Sequence, residues 1–216
     1  MHFSVLVFME EEYNDLEGLM GKYDSNIESE YVETKFITKI EKKDIQAKYD
    51  EIVNDVERWR DKIKTWLRFK KMTPIEFFKE YDFYEPDEFG DLGYYANPNS
   101  KYDWYEIGGR WKNLLVTKKG MKVSHAPINE IDWNATKDLF KETLIEGYKK
   151  HIHHETLEEY LENNYKDFYT FIWNILDCND WIDLEDKKNP NKIVEEYISN
   201  YKDRKDIEVY IVDCHF

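Results

Sequence analysis

The spacing of apolar residues changes along the chain between two periods. Nearly continuous apolar runs lie close to both ends of the sequence, at residues 3–8 and 207–212. Short apolar runs bounded by charged residues are typical of buried strands. Between these runs, apolar residues recur every three or four positions in several stretches, as they do on one face of a helix. The pattern therefore predicts a strand near each end of the chain and helices between them.

The longest helical pattern covers residues 44–71. Asp44 can cap this predicted helix, and its apolar stripe either packs in the core or forms a groove for a partner. The stripe consists of Ile45, Tyr49, Ile52, Val53, Val56, Trp59, Ile63, Trp66 and Leu67. A second helix is predicted over residues 73–81, because Thr73-Pro74-Ile75-Glu76 combines a capping residue, a proline at the first helical position and a glutamate at the third.

The second half of the chain carries three further helical patterns. We expect a helix capped by Asn134, another over residues 157–176 and a last one over residues 193–201. Together the patterns predict one α+β domain over residues 1–216, with helical insertions at about 44–81 and 134–202. Its sheet is expected to be small and mainly antiparallel, to contain both terminal strands and a central hairpin, and to pack against several long amphipathic helices.

Residues 95–111 concentrate turn, aromatic and charged residues. Asn97-Pro98-Asn99-Ser100 has the composition of a tight turn, and residues 101–107 have that of a strand. Gly108-Gly109 can supply the positive φ angles that a two-residue hairpin needs. Pairing of Ile107 with Arg110 across that turn would place polar residues on one face and aromatic residues on the core side. The polar set is Lys101, Asp103, Tyr105 and Arg110, and the aromatic set is Tyr102, Trp104 and Trp111.

Two interpretations of this segment remain open. It is either a structural hairpin whose tryptophans anchor the sheet, or the wall of a pocket for a nucleotide or another phosphate-bearing ligand. In the second case the Arg110 guanidinium would hold the phosphate and Asp103 would act as general base. The candidate binding residues are Asn97, Asn99, Lys101, Asp103, Tyr105 and Arg110. The sequence contains neither the Gly-x4-Gly-Lys phosphate loop nor the dinucleotide pattern Gly-x-Gly-x-x-Gly.

Residues 97–111, Asn-Pro-Asn-Ser-Lys-Tyr-Asp-Trp-Tyr-Glu-Ile-Gly-Gly-Arg-Trp, resemble the signature of a family of mostly uncharacterised proteins from bacteriophages, prophages and their hosts. The start, His-Phe-Ser-Val-Leu-Val at residues 2–7, and the end, Val-Asp-Cys-His-Phe at 212–216, are similar to the terminal strands of that family. Residues 130–133 resemble a short element that often follows the signature. Tyr102 stands where the family commonly has tryptophan. The resemblance touches both ends and the middle of the chain, and it implies a phage-related setting without an activity.

The net charge of −15 bears on which partners the chain can have. Such a field repels nucleic-acid phosphates and anionic lipids and favours basic partners. We therefore expect no direct DNA binding and no membrane binding. The expected partner is a host effector or nuclease complex with a basic surface.

Combined with the phage setting that the resemblance implies, this charge suggests an inhibitor of a host nucleic-acid-handling or defence complex. The inhibitor would be of the anti-CRISPR or anti-restriction type and would imitate nucleic acid. Ordinary solubility is the alternative explanation of the charge. The pocket interpretation gives a second function, a nucleotide enzyme or binding module. A structural or virion-associated subunit is the third.

An acidic and aromatic segment leads into the signature. Its acidic residues are Asp82, Glu85, Asp87, Glu88 and Asp91. The segment is either a patch that faces a partner or a solvated loop.

The two cysteines, Cys178 and Cys214, lack the spacing of a zinc ribbon, and their small number favours a reducing compartment. The first residues lack the pattern of a signal peptide, and no apolar stretch approaches the ~20 residues of a spanning helix. We therefore expect a cytoplasmic protein, in the host cell if a phage encodes it.

Metal-binding residue types occur at two places. If the terminal strands pair antiparallel, His2 lies near Asp213, Cys214 and His215, which could bind zinc or form a Cys-His pair. No other cofactor is predicted. The run His151-Ile152-His153-His154 is either a metal site or a solvated helix junction. Helical spacing would place only His151 with Glu155, or His154 with Glu158, on a shared face.

Overall fold

The computed structural model describes residues 1–10, 15–151, 154–178 and 180–216. In this part of the chain the strands are β1 (His2–Glu10), β2 (Lys35–Ile40), β3 (Glu85–Pro86), β4 (Leu92–Ala96), β5 (Trp104–Ile107), β6 (Leu115–Val116), β7 (Lys122–Val123), β8 (His125–Pro127), β9 (Asn174–Leu176), β10 (Trp181–Asp183) and β11 (Ile207–His215). The helices are α1 (Leu16–Gly21), α2 (Ile45–Val53), α3 (Val56–Trp59), α4 (Ile63–Phe69), α5 (Pro74–Tyr81), α6 (Trp133–Lys150), α7 (Leu157–Asn164) and α8 (Pro190–Tyr201). Short 3₁₀ helices cover Lys42–Asp44, Gly109–Trp111, Ile128–Glu130 and Asp167–Thr170.

The chain divides into two compact units. One consists of Met1–Asp24 together with Lys101–Phe216, and the other is Ser25–Ser100. Both combine helices with mainly antiparallel strands, so the predicted α+β class is confirmed. Within the described residues, no helix has both the length and the apolar character needed to cross a lipid bilayer.

The terminal strands form the centre of the first unit. β1 and β11 pair antiparallel along nine positions, from His2 opposite His215 to Glu10 opposite Ile207. This confirms the pairing expected from the two apolar runs. The sheet order is β10-β9-β1-β11, and both β5 and β8 pair with the outer side of β11.

Each face of this sheet carries its own core, because successive side chains of a strand point in opposite directions. Leu6, Phe8, Val209 and Ile211 belong to the core that packs against α6 and α8. Their strand neighbours Val5, Val7 and Val212 belong to the core that includes α1. The middle parts of the central strands are therefore largely apolar on both faces, as the nearly continuous apolar runs predicted.

A central hairpin is present, but Ile107 does not pair with Arg110. The hairpin consists of β6 and β7, and Gly120 at φ +78° lies in its turn. Gly109–Trp111 form a 3₁₀ turn, while β5 pairs with β11. The predicted pairing was wrong because the long terminal strand offers β5 a more extensive partner than a local hairpin would.

The periodicity predicted one helix over residues 157–176, but these residues form several elements. The helix α7 ends at Asn164, and Asp167 takes a positive φ of 57°, which is incompatible with a continuing helix. Asn174–Leu176 form strand β9, which pairs parallel to Val5–Val7. A short apolar run fits either element, and here the pairing with β1 decided the outcome.

The second unit contains a sheet in the order β2-β4-β3 and the helices α2 to α5. The predicted continuous helix over residues 44–71 is divided into three. The indole N–H groups of Trp59 and Trp66 donate to the carbonyls of Ile52 and Val53, at 2.8 and 2.7 Å. These carbonyls lie at the end of α2, where helical partners are missing. The tryptophans of the predicted stripe therefore fold the chain back onto the end of α2.

The three predicted helix caps had different outcomes. Asp44 precedes α2, but its side chain makes no capping hydrogen bond. Thr73 and Glu76 form the expected capping box at the start of α5, with Pro74 at its first position. The cap of α6 is Asp132 and not Asn134, because the Asp132 carboxylate accepts from the backbone N–H groups of Asn134 and Ala135. The helix therefore begins before the residue expected to cap it.

Candidate functional site

Two histidines meet at one end of the central sheet. His2 on β1 and His215 on β11 lie directly opposite each other, and Asp213 projects from the same face two residues earlier. The neighbouring strand β5 places Trp104 opposite His215. We call the set of His2, Trp104, Asp213 and His215, together with the Asp103 side chain that contacts His215, the histidine face.

Asp213 organises one half of the histidine face. Its side chain is only 2% exposed. One carboxylate oxygen, Oδ1, lies 2.9 Å from Nδ1 of His2, and Oδ2 accepts a hydrogen bond of 2.9 Å from the backbone N–H of Arg110. A buried carboxylate needs such partners, because leaving it unpaired is costly.

The Gly-Gly-Arg step of the sequence delivers that backbone N–H. A Cβ atom at Gly109 would lie 2.4 Å from Cβ of Asp213, and the φ angle of Gly109 is +46°. Only glycine allows this close approach together with this backbone conformation. The glycine pair is therefore a turn that seats on Asp213, and not the tip of a two-residue hairpin.

The second histidine has a more exposed carboxylate. Nδ1 of His215 lies 2.9 Å from Oδ1 of Asp103, whose backbone N–H also donates to the His215 carbonyl at 2.8 Å. The Trp104 ring stacks on His215 with centroids 5.5 Å apart and 13° between the planes. The centroids of the two histidine rings are 5.0 Å apart. The face therefore holds two adjacent histidine–carboxylate pairs.

This geometry fixes how each imidazole can act. An ionised carboxylate only accepts hydrogen bonds, so it selects the N–H form of each Nδ1 and leaves Nε2 to accept or give a proton. Nε2 of His215 lies 3.3 Å from the amino group of Met1. No hydrogen bond to Nε2 of His2 occurs among the described residues, so this atom is the better placed for proton exchange with a ligand.

A serine near these histidines is not a free nucleophile. Ser4 lies two residues after His2 on β1 and is buried. Its hydroxyl donates to the Phe171 carbonyl and accepts from the backbone N–H of Trp173 at 3.2 Å. The chemistry available on this face is therefore acid–base and electrostatic.

Two predicted binding residues contact the histidine face. Asp103 pairs with His215, and Arg110 donates its backbone N–H to Asp213. Lys101 is exposed, and its backbone N–H donates to the Tyr23 carbonyl at 2.8 Å. Tyr105 was assigned wrongly to the same face: it lies opposite Cys214 in the register, and burial raises the pKa of its phenol. Trp104 was expected in the core but is 43% exposed.

Asn97 and Asn99 lie in the other compact unit. The Asn97 side chain is buried, and its Oδ1 accepts from the backbone N–H of Asn99 at 2.9 Å. This contact confirms the local turn. The two asparagines therefore stabilise a turn within Ser25–Ser100.

Cys214 does not join the two histidines, which corrects the predicted metal or Cys-His cluster. Strand alternation directs its side chain to the opposite face, where it is fully buried with Phe3 and Tyr105. Burial raises the pKa of the thiol well above its usual value. In the described residues, no group of three histidine, cysteine or acidic side chains is arranged to hold a metal ion.

Several carboxylates of the acidic segment are engaged in local hydrogen bonds or in an ion pair. Asp87 Oδ1 accepts from the backbone N–H groups of Phe89 and Asp91, each at 2.9 Å. The side chain of Asp91 accepts from the backbone N–H of Lys42, and Glu85 pairs with Lys79 at 2.7 Å. Burial raises the pKa of Asp82, while Glu88 is exposed.

The histidine run lies at a junction between helices. His151 follows the last residue of α6 and His154 precedes α7, while Ile152 and His153 lie outside the described residues. The helical spacing with Glu155 and Glu158 therefore does not apply to this segment.

The sequence named His2, Asp103, Arg110 and His215 as candidate residues. It did not identify Asp213 as the residue that holds His2 and the Arg110 backbone in place. A detectable signal was present, because Asp213 is an acidic residue that directly follows the apolar run of β11 and shares its alternation with His215. Comparisons with protein-family models, with curated proteins and with solved structures give no match. The resemblance to the phage family therefore stays a prediction.

Proposed function

We propose that this protein binds a small phosphate-bearing ligand at the histidine face and exchanges a proton with it through His2. The observation that carries the proposal is the pair of adjacent histidine–carboxylate contacts, His2 with Asp213 and His215 with Asp103. A histidine whose Nδ1 is held by a carboxylate is the usual arrangement of a general acid or base. In this role Asp213 orients His2, and His215 contributes charge or a second donor.

The charges next to the face support an anionic ligand. Arg110 is exposed, and within the described residues its guanidinium has no ion pair, although the protein carries a net charge of −15. Its backbone is fixed by Asp213, so the side chain starts from a defined position. Guanidinium groups bind phosphate with two parallel hydrogen bonds. Such a group can offset the repulsion between a phosphate and a protein of net negative charge.

The test is a titration of the full chain with inorganic phosphate and with ribose 5-phosphate, followed by the imidazole resonances in NMR. We expect both ligands to shift the signals of His2 and His215. The signal of His125 should not move, because this exposed histidine stacks on Tyr210 away from the face. Affinity should fall about tenfold in Arg110→Ala, which corresponds to the loss of one charged hydrogen-bonding partner.

Turnover of phosphate monoesters is measured in the same samples. Activity that disappears in His2→Gln but persists in His125→Gln would make the protein an enzyme, whereas binding without turnover would make it a binding module. Equal shifts of all three histidines, or no shift at all, would overturn the proposal.

A second candidate function is a partner-binding protein, and two exposed phenylalanines favour it. Phe83 and Phe89 are 81% and 71% exposed, and they flank Glu85 and Glu88. Aromatic residues are enriched at the buried centre of protein–protein interfaces. In this proposal the protein is a phage-associated inhibitor of a host defence or nucleic-acid-handling complex and acts in the host cytoplasm.

The distribution of charge bears on how such a partner would be held. Ser25–Ser100, which contains both phenylalanines, has 17 acidic and 13 basic side chains, so its net charge is −4 and the other unit carries −11 of the total −15. Nucleic-acid mimicry would therefore rely on the other unit. Docking through Phe83 and Phe89 would be largely apolar and only weakly dependent on salt.

Affinity capture at low and moderate salt distinguishes these modes. The tag is placed in the exposed turn at residues 118–120, since both terminal strands belong to the central sheet. Loss of one basic effector in a Phe83→Ser, Phe89→Ser variant, but not in Met121→Ser, would support apolar docking. Recovery that vanishes at moderate salt would support mimicry. A large homo-oligomer in light scattering would favour a structural or virion-associated subunit.

A further inference from the structure

A groove of about 330 Å³ begins at Arg110, the residue whose backbone contacts Asp213. Its walls come from the turn after β5, from β7 and from α6. The residues that the argument uses are Arg110, Trp111, Lys112, Lys122, Glu142 and Phe171. The volume lies at the lower end of the range of small-molecule sites, about 300–1,000 Å³, so the groove suits one small ligand.

The groove combines three unpaired cations with aromatic rings. Arg110, Lys112 and Lys122 are exposed, and among the described residues none of them forms an ion pair. Trp111 and Phe171 are half-buried and pack on the core, so part of each ring stays open. Cations beside aromatic rings suit a planar group that carries a phosphate.

The opposite wall supplies hydrogen-bond acceptors. Glu142 and Glu146 lie one helical turn apart on α6 and are both exposed. Carboxylates accept from amino groups, so they favour a ring that bears exocyclic N–H groups. A sugar phosphate would also satisfy the cations, and its hydroxyls can donate to these carboxylates, but it has no planar ring to stack on Trp111 or Phe171.

We infer that this groove binds the base of a nucleotide whose phosphate lies toward Arg110 and the histidine face. The ring stacks on Trp111 or Phe171, and its amino group donates to Glu142. This inference rests on the proposed function and names the class of ligand for that same site. Bases with amino groups, adenine, guanine and cytosine, are preferred to uracil.

The test compares the affinities of AMP, GMP, CMP, UMP, ribose 5-phosphate and adenosine for the full chain by calorimetry, with histidine NMR as a second readout. We expect the three amino-bearing nucleotides to bind about fivefold or more tightly than ribose 5-phosphate, the factor that corresponds to the lower limit for stacking of one base. UMP should fall between these limits.

Variants locate the binding. Glu142→Gln should lower the affinity for AMP and leave that for ribose 5-phosphate unchanged. Lys112→Ala should lower the affinity for all phosphate compounds. Lys119 is exposed and lies outside the groove, so Lys119→Ala should leave every affinity unchanged. All three side chains are exposed, so none of these substitutions should endanger folding.

Each outcome decides between the two proposals. Nucleotides that bind no more tightly than ribose 5-phosphate would overturn the groove and leave the phosphate site standing. Adenosine that binds while no phosphate compound moves His2 would support the groove and overturn the proposed function. Absence of binding by all six compounds would overturn both.

Discussion

The two faces of one end of the central sheet are built by the same strands and have opposite chemistry. The histidine face holds Asp213 and His215, which are hydrogen-bonded to His2 and Asp103. The residue between them, Cys214, projects to the other side. There it packs with Phe3, Tyr102 and Tyr105, a set that we call the cysteine face.

The difference shows how strand alternation sorts reactive groups. Neighbours in sequence lie on opposite faces, so the Cys-His step separates the thiol from the imidazole. The Asp-x-His spacing instead places a carboxylate and an imidazole side by side. Charge is tolerated on the histidine face because the Gly109 turn and His2 satisfy Asp213. The cysteine face has no such partners and is apolar.

Removal of the Asp213 carboxylate should break the histidine face with the largest effect. Asp213→Ala leaves the N–H groups of His2 and Arg110 without an acceptor, so we expect a loss of about 3 kcal/mol in the free energy of unfolding. Urea denaturation measures it. Glu106→Ala is the matched control, because Glu106 lies opposite Asp213 on β5 but is exposed. Equal effects of the two variants would contradict a special role for Asp213.

A polar group placed on the cysteine face should have the next largest effect. Cys214→Ser buries a hydroxyl in an apolar environment and should cost about 2 kcal/mol, more than Cys214→Ala. In the native protein a thiol reagent should modify Cys178, which is partly exposed, and reach Cys214 only after unfolding. Reaction of both thiols in the native state would show that Cys214 is accessible and would contradict its burial on the cysteine face.

Tyr102 tests the same face in the stabilising direction. Its hydroxyl is buried without a hydrogen-bond partner among the described residues, so Tyr102→Phe should raise the free energy of unfolding by about 1 kcal/mol. Burial also raises the pKa of this phenol. Ionisation of Tyr102 therefore leaves the free energy of unfolding unchanged below the ordinary pKa of about 10 and lowers it as pH rises above that value, because the unfolded state releases the proton first.

Thermal unfolding at about pH 8 and about pH 11 checks this sign. The variant should lose less stability than the wild type between the two values. Some loss should remain, because burial also raises the pKa of Tyr105. A wild type that is equally stable at both pH values would contradict the assignment.

The smallest effect is expected for the exposed pair of the histidine face. Asp103→Asn should cost about 0.5 kcal/mol or less, because exposed ion pairs contribute little. It should nevertheless change the environment of His215, which histidine NMR detects as a larger shift than that of His2, whose ring centroid lies 5.0 Å away. A double-mutant cycle with His215→Gln measures the coupling. A coupling as large as that between His2 and Asp213 would remove the distinction between the two pairs.

The separation of the contacting residues explains what the sequence could predict. The capping box at Thr73 depends on residues three positions apart, and the pattern identified it correctly. The break of the 44–71 helix depends on Trp66 reaching Val53, which periodicity does not encode. The strand β9 depends on Val5–Val7, about 170 residues away. Predictions therefore succeeded for one local motif and for the two terminal apolar runs, while the local Asn134 cap and the Ile107–Arg110 hairpin gave way to other partners.

The sequence alone determined that both terminal runs are strands, because nearly continuous apolar residues are typical of strands buried on both faces. It also determined which residues of each strand share a face, because alternation is a property of the extended backbone. Only the tertiary structure decided that the Gly-Gly-Arg turn seats on Asp213, since Arg110 and Asp213 are 103 residues apart. The physical reason is that a buried carboxylate requires donors, and folding brought them from distant parts of the chain.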